Sequence, residues 1–163
     1  MVKVKLKKKG KKLESIRASV KKLDGQTVKA GYFASQGKHL GGSYSYAALA
    51  QALELGYFPV QGFTRVPMPF MNHIGNLTYK GLSRDAGFKK ALKAWIKKLD
   101  KKGNPKALLD SMGMAAKKNA YHVFNNPAYF PQAPNNRTPN FETGALRSAF
   151  SYKTSWDNQV RRT

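Results

Sequence analysis

Near its C-terminal end the hydrophobic pattern of this chain changes period within a few residues, and no other feature restricts the fold as much. In Asn140-Phe141-Glu142-Thr143-Gly144-Ala145-Leu146-Arg147-Ser148-Ala149-Phe150, Leu146 and Phe150 stand four apart and share one face of a short helix. Thr143 is placed to cap that helix, its hydroxyl accepting a backbone N–H, and Gly144 permits a tight turn into it. From Phe150 onward the period is two: Phe150, Tyr152, Thr154 and Trp156 alternate with Ser151, Lys153 and Ser155, the pattern of a strand with one aromatic face. A capped helical turn therefore delivers the chain into a closing strand. Nothing in this stretch is a nucleophile or a metal ligand, so it reads as a docking element.

The other elements follow in chain order. Val2, Val4 and Leu6 alternate with Lys3, Lys5 and Lys7, which predicts a short edge strand with a lysine face, broken at Gly10; a disordered basic arm over Lys3–Lys12 is the competing reading. Leu13, Ile16, Val20 and Leu23 predict an amphipathic helix over 11–23, ended by Asp24-Gly25. A second strand is expected over Gln26–Phe33, with Val28, Ala30 and Tyr32 on one face. The glycine-rich run Gln36-Gly37-Lys38-His39-Leu40-Gly41-Gly42 lacks the offsets of a phosphate cradle and reads as a loop. Tyr46–Leu55 is an alanine-rich helix with Gly56 at its C-terminal cap. Pro59, Pro67 and Pro69 impose an extended path on Tyr57–Phe70, and Val66-Pro67-Met68-Pro69-Phe70-Met71 is a stiff apolar segment, either a core-crossing connection or a rigid surface for a partner.

Phe88, Ala91, Leu92, Trp95, Ile96 and Leu99 form the clearest helical stripe in the chain, with Lys89, Lys90, Lys93, Lys97 and Lys98 on the opposite side. After Lys101-Lys102-Gly103, Asn104-Pro105 starts a second helix, which carries Leu108, Leu109, Met112, Ala116, Ala120, Val123 and Phe124 to about Asn125. A loop rich in Pro and Asn follows over about 126–140. The expected fold is a single α+β domain spanning 1–163: a small antiparallel or mixed sheet packed by several helices.

Charge limits the partners. Thirty Lys and Arg against eight Asp and Glu leave a net +22, enough to bind polyanions non-specifically at low salt. Residues 1–25 and 80–106 each hold ten basic residues against two acids. The lysine side of the Phe88–Leu99 helix is the candidate polyanion contact; a merely solvated face is the plainer reading.

Catalytic signals are missing. His39, His73 and His122 lack metal-ligand spacing, there is no cysteine, and no two acids lie closer than about ten residues, so neither a zinc site nor a Mg²⁺ nuclease centre is indicated. No Gly-x-Ser-x-Gly elbow occurs. These observations argue against an enzyme and against a cofactor. No apolar run is long enough to span a membrane, and the basic start lacks the apolar centre of a secretion signal.

The order of the pieces carries further information. Val28-Lys29-Ala30-Gly31-Tyr32-Phe33, Tyr46-Ala47-Ala48-Leu49-Ala50 with Leu53-Glu54-Leu55-Gly56, Val66-Pro67-Met68-Pro69-Phe70-Met71 and Glu142-Thr143-Gly144-Ala145-Leu146-Arg147-Ser148 follow one another. This series resembles the tail-completion and head–tail joining proteins of tailed bacteriophages, the group that includes the minor tail protein Z type. The resemblance covers most of the chain, and its closing motif is the most specific part. Met68 stands where the family commonly has Arg, Glu142 where it has Asp, and a basic helical insertion occupies about 72–104.

The resemblance implies a structural virion protein of the phage neck. It would be assembled in the bacterial cytoplasm as a homo-oligomeric ring, with a hexamer expected. It would meet neighbouring neck, portal-adaptor or tail-tube proteins, with packaged DNA as a further contact. Pro67, Pro69, Phe70, Thr143, Gly144, Leu146 and Arg147 are then the subunit-interface candidates. A nucleic-acid-binding module that grips phosphates through its lysine-rich helices is the alternative.

Overall fold

The computed structural model describes residues 2–38, 44–58, 63–64, 66–99, 103–133, 138 and 144–156. The chain is an α+β fold, and its described residues form six α-helices and two two-stranded antiparallel sheets. It begins with helix α1 (Val2–Lys21), where the sequence pattern predicts a strand and a break at Gly10. The alternation of Val2, Val4 and Leu6 with lysines does not decide between strand and helix, because lysine and leucine are good helix formers. A mid-helix glycine costs only about 1 kcal/mol, so α1 runs through Gly10. The turn at Asp24-Gly25, with Gly25 at φ 71°, stands where expected.

Strand β1 (Val28–Gly31) is shorter than the predicted 26–33. Helix α2 (Tyr46–Leu55) is capped by Ser45, whose hydroxyl accepts the Ala48 N–H at 3.1 Å, and ends at Gly56 in the left-handed region, as its sequence requires. The extended path beyond it contains β2 (Tyr57–Phe58) and β3 (Phe63–Thr64), paired antiparallel. Helix α3 (Phe70–Gly81) then opens directly on Phe70. Asp85 caps α4 (Ala86–Ile96), accepting the Phe88 N–H at 2.9 Å, and Asn104 Oδ1 accepts the Lys106 N–H at 2.7 Å at the start of α5 (Lys106–Phe124). A short 3-10 turn covers Pro127–Tyr129, α6 spans Ala145–Ala149, and β4 (Ser151–Thr154) closes the chain onto β1. Trp156 falls beyond the strand's end, contrary to the alternation that included it.

Helix α5 is the central element. It lies against α3, α4, β1 and β4, and it buries Leu108, Leu109, Ala115, Ala116, Ala120, Val123 and Phe124. The main core joins its C-terminal half to Phe70, Ile74, Phe130, Leu146 and Phe150. Phe124 sits 5.0 Å from Phe70 and 6.5 Å from Phe150 between ring centroids. Phe130, from the Pro/Asn-rich loop, is fully enclosed, so that segment supplies core as well as connection.

One contact sets the distance between α5 and the sheet. A Cβ built on Gly113 would lie 2.1 Å from Cδ2 of Tyr152. The ring of Tyr152 therefore rests on the bare backbone of α5, and only glycine leaves room for it. Gly113→Ala would gain about 1 kcal/mol of helix propensity, but overpacking against a rigid ring and sheet typically costs about 1–3 kcal/mol or more. The expected outcome is a net loss of stability in chemical denaturation. With Tyr152 already replaced by Ala, the same Gly113→Ala change should become neutral or stabilising; an equal loss in both backgrounds would contradict the contact.

Candidate interaction surfaces

The closing element divides into an inner and an outer side. Gly144 turns the chain in the left-handed region, φ 68°, ahead of α6. Leu146 and Phe150 then point inward, and both are buried. The Tyr32 hydroxyl donates to the Leu146 carbonyl at 2.9 Å, and its ring stands edge-on to Phe70 and Phe150, with centroids 6.3 and 5.7 Å away. Gln36 bridges the two ends of the motif. Its Oε1 accepts the Phe33 N–H at 2.6 Å, while its Nε2 donates to the Ala149 carbonyl and to Ser151 Oγ. Leu146 therefore holds the fold and does not present a surface, which corrects its placement among interface residues. Thr143 lies outside the described residues.

Arg147 occupies the outer side. Its Nη1 donates to Asn125 Oδ1 at 2.7 Å, and its guanidinium carbon stands 4.2 Å over the centre of the Tyr121 ring. Tyr121 and Met114 remain more than half exposed, and they share a shallow depression with Lys117, Lys118, His122 and Asn125. His122 packs edge-on to Tyr129, whose ring also meets His73. The sequence reading missed this patch. A signal for it exists, because positions 114, 117, 118, 121, 122 and 125 follow a second helical stripe on α5.

The stiff segment ahead of α3 is stitched into the fold on three sides. The Met68 N–H donates to the Leu53 carbonyl at 2.9 Å, and the Pro67 carbonyl accepts Gln132 Nε2 at 3.3 Å. Glu54 Oε2 takes the Met71 N–H at 3.0 Å, which satisfies one of the free donors at the start of α3. Phe70 is fully buried, so it too is a core residue and no interface candidate. Pro67 is exposed and Pro69 half-buried at the cap of α3, and these two remain accessible.

Two further surfaces stand out. On α1, Leu13 and Val20 are 51% and 50% exposed, although they belong to its apolar stripe. That helix is fastened by Ser19, buried, whose hydroxyl donates to the Leu99 carbonyl at 2.7 Å. On α4 and the turn that follows it, Phe88, Leu92 and Trp95 are half-buried, while Lys89, Lys90, Lys93, Lys97 and Lys98 are all exposed. Lys89, Lys90, Lys93 and Lys97 line one shallow groove floored by Ala86 and Ala94; Lys98 stands apart from it.

Among the described residues, no three His, Asp or Glu side chains gather as a metal site would need, and no helix is long and apolar enough to cross a membrane. No family model, curated protein or solved structure matches the chain.

Tyr32 gives a pH test of the closing element. Burial pushes its phenol far above the ordinary value of about 10, so the neutral donor is the favoured form in the folded chain. Its contribution is therefore whole below pH of about 10 and is lost as pH rises further. Tyr32→Phe should cost about 1 kcal/mol at neutral pH by leaving the Leu146 carbonyl without its donor. It should also flatten the fall in stability above pH of about 10 relative to the parent. Parallel stability–pH curves for the two proteins in that range would contradict this role.

Proposed function

We propose that this chain is a structural subunit of the head–tail junction of a tailed bacteriophage, working as one member of a homo-oligomeric ring with no catalytic turnover. The observation that carries the proposal is the pairing of β1 with β4. Two stretches that bear the family resemblance, Val28–Phe33 and Glu142–Ser148, lie more than a hundred residues apart in sequence. The first supplies β1, and the second leads through α6 into the partner strand, in the register Val28↔Thr154 to Gly31↔Ser151. The other two stretches are joined by the Met68–Leu53 and Met71–Glu54 hydrogen bonds. All four stretches thus contribute to one connected unit, as expected if the resemblance reflects a shared fold.

A ring needs a head-to-tail contact between two different patches on each subunit, whereas a two-fold dimer needs only one. Two exposed patches of different composition support this reading. The exposed stripe of α1 is anchored beside Leu99, near the start of α5, and the Tyr121–Arg147 patch lies near its end. Lys106 and Phe124, at the two ends of α5, are separated by about 27 Å at 1.5 Å per residue. The second patch has the composition that protein interfaces favour, with exposed Tyr121 and Met114 beside half-buried Arg147.

Native mass spectrometry of the purified chain, together with immunodetection in purified virions, tests the reading. The expected result is a closed oligomer, with six copies anticipated, that Leu13→Glu with Val20→Glu disperses while the circular dichroism spectrum stays unchanged. A chain that remains monomeric and is absent from particles would overturn it.

A further inference from the structure

We infer that the groove on α4 is a sequence-independent binding site for the phosphate backbone of double-stranded DNA. The inference rests on this groove alone and does not require the ring. Lys89, Lys93 and Lys97 recur every fourth residue, so their Cα atoms climb the helix in steps of about 6 Å on one face, and Lys90 widens the row. Among the described residues, none of the four pairs with a carboxylate. Among the described residues, Asp85 at the start of α4 caps that helix by accepting the Phe88 N–H and stands 4.0 Å from Lys118 on α5. From Ala86 to Leu99 the sequence contains no acid at all. The row is held in place by the opposite side of α4, where Phe88, Leu92 and Trp95 pack inward.

Three features select the ligand. The groove is lined by Lys and Ala only, with no Arg, Asn or Gln to read base edges, so it can position a backbone but cannot specify a sequence. It offers no aromatic ring for unstacked bases, because Trp95 is half-buried and does not line it, and single-strand sites depend on such stacking platforms. Lysine is depleted at protein–protein interfaces, which favour Tyr, Trp, Met and Arg; that composition is found instead around Tyr121 and Arg147. The small alanines between the lysine rows let a rod-like backbone approach the helix closely.

The test compares two triple variants with the same change in net charge. One carries Lys90→Glu, Lys93→Glu and Lys97→Glu. The other carries Lys29→Glu, Lys38→Glu and Lys80→Glu, all exposed and all outside the groove. Binding to a fluorescein-labelled mixed-sequence duplex is measured by anisotropy over a salt series, after circular dichroism of each variant. The groove variant should bind about 100-fold more weakly near physiological salt, and the slope of log K against log salt should become shallower by about 3. The control variant should lose far less. Should the groove triple variant fail to fold, the single change Lys93→Gln should still reduce the slope by about 1. Equal losses in both triple variants would assign binding to diffuse charge and overturn the site. Equal or tighter binding of poly-aspartate, or of single-stranded DNA, would overturn the assignment to duplex.

Discussion

Everything in this molecule depends on how closely α5 can lie on the β1–β4 pair. Two strands make too small a sheet to be stable alone. Here the pair is completed by a helix that crosses it at Gly113, where the missing side chain admits the Tyr152 ring. Farther along the same helix, Ala120, Val123 and Phe124 form the wall on which Phe70, Leu146 and Phe150 close. Tyr32 joins the two regions, standing beyond β1 and bonding to α6. The chain's closing stretch and its first strand are thereby held by one contact surface, despite their separation in sequence.

That arrangement leaves the charge outside. The lysines of α4 are exposed because the helix faces α5 with only one side, and among the described residues no acid lines the resulting groove. Folding therefore places no demand on those lysines. The Tyr121–Arg147 patch differs in kind: its cation is already spread over an aromatic face and bonded to Asn125, a rigid arrangement suited to a packed contact. The lysine row stands on α4 and the Tyr121–Arg147 patch on α5 and α6, so the two surfaces of different chemistry do not overlap.

Much of this was legible in the sequence where local chemistry and tertiary packing agree. Ser45 with Gly56 bounds α2, Asn104-Pro105 starts α5, and the change of period after Phe150 marks β4. It was not legible where they diverge. The Val/Lys alternation of residues 2–7 suits strand or helix equally until a pairing partner is specified, and α1 is the outcome. Helix α3 falls within the helical segment expected over about 72–104, but its start at Phe70 is not marked in the sequence: Asn72, Gly75, Asn76, Thr78 and Gly81 are weak helix formers, and packing of Phe70 and Ile74 on the core overrides them. The residues Phe70 and Leu146 were expected at an interface because they sit in recognisable motifs. A motif can be recognisable because it builds the core, and here it does. Of the Tyr121–Arg147 patch, the α5 stripe through Met114 and Tyr121 is present in the sequence, but the placing of Arg147 over Tyr121 is not, since the two come from helices that only the fold brings together.

If the α5–sheet contact is the foundation and the charged helices are attached to it, the amides of the protein should open in that order. Native-state hydrogen exchange measures this residue by residue. The amides of α5 from Leu109 to Phe124 and the β1–β4 ladder should exchange slowest and together, through global unfolding only. Those of α4 and α1 should exchange sooner, through partial openings that leave α5 protected. Exchange of α4 or α1 as slow as that of α5, or early opening of the β1–β4 ladder while α5 stays closed, would contradict this order of dependence.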